Sequence, residues 1–181
     1  MLIKKTIRME FYSDELRYKF FNDPKKLLVC NHSIPIIDGL WLHMVLTIEH
    51  VSHYIYMGYC FGYGNSWLKP IKSPHFVDKE TRSILQSYRC CPVIFPSGGT
   101  IKWKSGFYYI AKYAAIPIYI VRLNYTQQQI EIIGRVTVND HNTYDEVKQN
   151  IIDRLRVGLS GRKWWNTVLY WFGYGDECLI Q

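Results

Sequence analysis

No apolar run in this chain approaches the roughly 20 residues that a helix needs to span a bilayer, so a membrane-spanning protein is not expected. The amino terminus shows no signal-peptide pattern, and there is no internal repeat or low-complexity segment. Cysteine is sparse and unpatterned. Cys30, Cys60, Cys90, Cys91 and Cys178 form an odd count without metal-ligand spacing, and the adjacent pair is a poor disulfide. A reduced compartment such as the cytosolic side follows. His43, His50, His53, His75 and His141 are likewise not set among cysteines or carboxylates at metal-binding spacing, so core or surface roles are expected and no metal site. The basic residues are scattered and no reader motif accompanies them, which argues against a nucleic-acid partner.

What is present suits one α/β domain over residues 1–181. That length is enough for a sizeable core and too short for two ordinary domains. Strand-like apolar runs at 27–31, 51–57, 91–95, 117–123 and 130–138 alternate with helical patterns near 38–48, 79–88, 104–114 and 143–157. Alternation of this kind predicts a mixed, largely parallel sheet covered by helices. The polar stretch before Pro24 and the aromatic, basic segment 162–181 read as appendages.

The chemistry concentrates after the first of those runs, in Val29-Cys30-Asn31-His32-Ser33-Ile34-Pro35-Ile36-Ile37-Asp38-Gly39. Imidazole titrates nearest neutrality, so a histidine held in one tautomer by a carboxylate can take a proton from a hydroxyl. His32 is the candidate base and Asp38 its orienter. Five residues separate them, and a regular helix turning 100° per residue would swing them apart. Proline favours the first helical turn and pushes its predecessor out of the helical region. Pro35 therefore leaves His32 in a loop and Asp38 on the first turns of a helix.

Three further segments follow. Phe76-Val77-Asp78-Lys79 offers a cation. Val93-Ile94-Phe95-Pro96-Ser97-Gly98-Gly99-Thr100 runs an apolar strand into a glycine turn, where backbone N–H groups can approach a phosphate or a developing oxyanion. Lys102 to Ala111 then reads as a helix start, and Ala115 to Val121 as a strand containing Pro117. Ser97 lacks the Gly-x-Ser-x-Gly elbow of a hydrolase nucleophile, which sets that chemistry aside.

In order and spacing these segments resemble the motifs of the PlsC-like glycerolipid acyltransferases, the family of lysophosphatidic acid acyltransferase and tafazzin. The resemblance covers roughly residues 27 to 125. It departs from the family in several places, among them Ser73 for a glycine, an extra glycine after Ser97, and Ile120 for a second proline. The histidine and aspartate are one residue further apart than usual, Lys79 stands where the family has arginine, and Ser97 stands where it has glutamate. Lysine keeps the charge but gives up the bidentate fork. The resemblance implies a PlsC-like fold and an O-acyltransferase moving a fatty acyl group from an acyl thioester, acyl-CoA or another donor, to the hydroxyl of a lysophospholipid. His32 and Asp38 are then catalytic, and Lys79, Ser97, Gly98, Gly99, Thr100 and Lys104 bind substrate. No cofactor is needed beyond acyl-CoA as cosubstrate. The alternative is an inactive acyltransferase fold serving as a membrane-binding or assembly module.

Lysine and arginine exceed acidic residues by 22 to 15, a formal charge of +7, and aromatics make up 16% of the chain. Trp103, Trp164, Trp165, Tyr170, Trp171 and Phe172 stand beside Lys102, Lys104, Arg162 and Lys163. Amphipathic rings with cations favour an anionic bilayer interface, so monotopic or peripheral association on the cytosolic side is expected. Cys178-Leu179-Ile180-Gln181 also fits a prenylation box.

Overall fold

The structure, a computed structural model, describes residues 8–30, 35–57, 68–70, 86, 89–96, 103–124, 127 and 129–156. Leu27–Cys30 (β2) is buried along its whole length. A strand with no polar residue on either side must be covered on both faces, as in parallel α/β sheets. Its neighbours meet that demand. β2 pairs in parallel with Ile118–Asn124 (β6) on one side and Pro92–Ile94 (β5) on the other. Beyond β5 lie Tyr54–Met57 (β3) and Leu68–Pro70 (β4), again parallel. Beyond β6, Gln129–Val136 (β7) runs antiparallel, and Arg8–Phe11 (β1) pairs in parallel with β7. The result is one seven-stranded mixed sheet in the order β1-β7-β6-β2-β5-β3-β4, five strands of which run the same way.

Helix Pro35–Ile48 (α2) carries the chain from β2 over β5 to β3, while Gly106–Ala114 (α3) carries it from β5 back over β2 to β6. Crossovers between parallel strands share one hand. Two that step in opposite directions therefore cover opposite faces. The core divides accordingly. Trp41, Leu42, Val45 and Leu46 of α2 pack with Leu28 and Cys30. Phe107, Ile110 and Ala111 of α3 pack with Leu27 and Val29. Asp14–Asn22 (α1) joins the α2 side through Leu16 and Phe20, and Tyr144–Arg156 (α4) joins the α3 side through Val147, Ile151 and Leu155.

The α/β class and the five strand runs read from the sequence are found, with boundaries shifted by a few residues. The expected helix near 79–88 lies outside the described residues apart from Gln86. The expectation that residues before Pro24 form an appendage is corrected. Ser13 caps α1 by accepting a hydrogen bond from the Leu16 N–H at 3.1 Å, and Asp14 and Glu15 favour the positive end of the helix. Leu16 and Phe20 then fall on one buried face. Asp23, which follows α1, accepts from the Tyr119 hydroxyl at 2.6 Å and from Arg135 Nε at 3.1 Å, tying the segment to β6 and β7. β4 was also not anticipated. Segment 162–181 lies outside the described residues.

α2 and α3 both end in Schellman turns. Val51 N–H donates to Leu46 O and His50 N–H to Thr47 O; Ile116 and Ala115 repeat the pattern on Ala111 and Lys112. The left-handed positions are held by His50 (φ 55°) and Ala115 (φ 50°), where glycine is the usual occupant.

Candidate functional site

The ends of β2 and β5 adjoin, with Val29 beside Ile94, and from there the chain departs in opposite directions. In open α/β sheets the crevice outside such a switch point is where ligands bind. The two sequence segments richest in chemistry leave the sheet there, residues 31–34 after Cys30 and residues 97–102 after Phe95-Pro96. Lys104 N–H donates to Pro96 O at 3.0 Å, joining the two described residues that flank the second of these segments. Immediately after it α3 begins. Ser105 at its start makes no side-chain cap, and the backbone carbonyl of Ser105 accepts from Tyr108 N–H at 3.0 Å. The positive ends of α2 and α3 therefore both belong to the carboxyl-end side of the sheet, a setting that favours negative charge.

Pro35 opens α2, as its residue type predicts, and Asp38 falls in the first turn. The Asp38 side chain is fully buried. Burial, then the charge of Asp38, then Cys91 push the thiol of Cys30 well above its ordinary range. The carboxylate is thus close enough to the end of β2 to act on it electrostatically, and Cys30 remains a neutral, unreactive thiol. Asp38 and Cys30 stand on consecutive elements, eight residues apart, and both are fully buried. Of the other site residues expected from the sequence, Lys104 is exposed, and its backbone N–H bonds to Pro96 O. His32, Lys79, Ser97, Gly98, Gly99 and Thr100 lie outside the described residues.

A second constellation escaped the sequence reading. His53 Nδ1 is 2.7 Å from Val51 O, which can only accept, so Nδ1 carries the hydrogen. The Nε2 lone pair of neutral His53 then accepts from His43 Nδ1–H at 2.8 Å. Ten residues apart and on no common period, the two rings meet only because the turn after α2 folds back, so no spacing rule would find them. Burial lowers the pKa of both below 6.5; for His53 the Val51 carbonyl opposes this and His43 adds to it. Folding thus disfavours their protonation. Their contribution to stability is complete above pH 6.5 and is lost as pH falls through the lowered folded values. Thermal unfolding followed from pH 7.5 to pH 5 should show this acid loss, and His53→Gln should flatten it. An unchanged acid limb would mean the pair does not control stability there.

Among the described residues no group of three or more histidine, cysteine or carboxylate side chains is arranged to hold a metal ion, and no helix is long and apolar enough to cross a membrane. No family model, curated protein or solved structure matches the chain.

Proposed function

We propose that the protein is a PlsC-like O-acyltransferase that moves a fatty acyl group from an acyl thioester to the hydroxyl of a lysophospholipid. The observation that carries this reading is the fully buried Asp38 on the first turn of α2, beneath the switch point from which the His32 and Ser97–Thr100 segments leave adjacent strand ends. A buried carboxylate six residues after a histidine in sequence supplies the orienting half of a general-base dyad.

In this mechanism His32 takes the proton from the acceptor hydroxyl as its oxygen attacks the thioester carbonyl, and Asp38 holds the imidazole tautomer and offsets the charge it gains. The carbonyl becomes a tetrahedral oxyanion, for which the backbone N–H groups of Gly98 and Gly99 are donors. Collapse breaks the carbon–sulfur bond, and the departing thiolate takes the proton from His32. No acyl-enzyme forms. Lys79 is the partner for the acceptor phosphate, with Thr100 and Lys104 beside it. Departures from the family at Lys79 and Ser97 relax the acceptor choice that the resemblance alone would suggest.

An acyl-transfer assay with acyl-CoA over a panel of lysophospholipids tests the proposal. Turnover of at least one acceptor is the expected result, and none with any acceptor would favour the inactive module. Ser97→Ala separates direct attack from covalent catalysis. Because the reaction needs only a small residue before the glycines, the variant should keep most activity, whereas loss of a covalent nucleophile would abolish it. An acyl group trapped on Ser97 would overturn direct attack.

A further inference from the structure

Eight large hydrophobic side chains stay exposed among the described residues, and six of them, Tyr12, Tyr18, Phe21, Leu40, Met44 and Ile48, lie on or just before α1 and α2. Both helices cover the same face of the sheet. On α2 the exposed three are spaced four apart, which sets them in a row along the outward side. Their exposures are 47%, 47% and 59%. Across all fourteen residues of α2 there is no lysine, arginine or glutamate, and its aspartate is buried. Even the exposed Thr47 turns its hydroxyl inward, donating to His43 O at 2.8 Å. A protein-binding surface presents a polar rim with groups left over for hydrogen bonds. Within α2 no charged side chain is exposed, and the nearest that follows, Glu49, lies beyond its last residue.

We infer that the outward side of α2 seats in the hydrocarbon boundary of a lipid bilayer. The helix is about 21 Å long at 1.5 Å per residue, too short to span, and suited to lying in the interface plane. Two features select lipid as the occupant. The uncharged row is continuous with the candidate site, because the turn that bears Asp38 starts the same helix. The chain's net charge of +7 complements an anionic surface. The inference deepens the acyltransferase reading and rests on it for the use made of the lipid. A lysophospholipid in the same leaflet would have its headgroup hydroxyl near the end of α2 that carries Asp38, with its chain remaining among its neighbours.

Flotation of the full-length protein with vesicles of phosphatidylcholine and phosphatidylglycerol tests it. The wild type should float, and the double variant Met44→Glu with Ile48→Glu should lower the partition coefficient at least tenfold. Tyr109→Glu, an exposed side chain on the opposite face, should not. Turnover of a soluble short-chain acceptor should be the same in all three proteins. Flotation of the double variant equal to wild type would overturn the inference, as would wild type that fails to float. Light scattering that shows a wild-type dimer dissolved by the double variant would assign the face to a second copy and overturn it too. Flotation as expected without acyl transfer to any acceptor would leave the docking surface standing and remove the acyltransferase reading.

Discussion

Asp38→Asn is expected to lower kcat/KM for acyl transfer by about 10²-fold or more while leaving the protein folded. Asparagine matches aspartate in volume, so the packing under the switch point survives. The charge that, in the proposed mechanism, steadies the imidazole as it gains a proton does not. Asp38 is fully buried on the first turn of α2, where water cannot take over that task. His32→Ala should reach a comparable loss, and the double variant should be little worse than either single one, because two residues acting as a unit do not contribute additively. Steady-state kinetics beside a thermal melt would separate the chemistry from the fold. Unchanged turnover in Asp38→Asn would reject the dyad.

The largest effect on stability should come from Phe20→Ala, a loss of about 3–5 kcal/mol. Phe20 is completely buried and meets three rings edge-on or tilted, Phe11 at 5.4 Å, Phe21 at 5.3 Å and Tyr119 at 5.2 Å between centroids. The amine of Lys26 lies over the same ring, 4.4 Å from its centroid, and donates to Phe20 O. Burial lowers the Lys26 pKa, the charges of Cys91 and Asp23 oppose this, and the ring and the carbonyl add to the compensation of its charge. Truncating the ring leaves a cavity and strips one of the contacts away. Chemical denaturation of both proteins gives the difference directly, and a loss under about 1 kcal/mol would show that α1 is not held through this ring.

Phe20 also shows where the sequence stops being informative. The run Leu27–Cys30 is legible because a strand buried on both faces has no polar residue to disguise it, and Pro35 is legible because its ring restricts the backbone locally. β1 has four residues that alternate between exposed and half-buried, too few to make a period visible. Its partner β7 is more than a hundred residues away, so nothing nearby announces it. α1 mixes charged and aromatic residues, and the Ser13-Asp14-Glu15 start can be mistaken for a polar tail when the sheet that receives Phe20 is out of view. The candidate site divides in the same way. The type and order of its residues can be read along the chain, whereas the meeting of the β2 and β5 ends depends on strand order, a property of the whole sheet. The His43–His53 bond depends on how one turn closes.

The pairing of Arg8 with Gln129 has a consequence for a chain made one residue at a time. When α1 leaves the ribosome, the strands that will cover Phe20 and answer Asp23 have not been made, because Tyr119 and Arg135 come about a hundred residues later. At about 5–20 residues per second, the aromatic side of α1 waits several seconds without its cover. The β2–β5 block can form earlier, from shorter-range contacts. The nascent chain therefore has its β4 edge and central parallel strands before it has the opposite edge, β7 and β1 paired, and α1 is the segment on which a chaperone would find its longest-lived target.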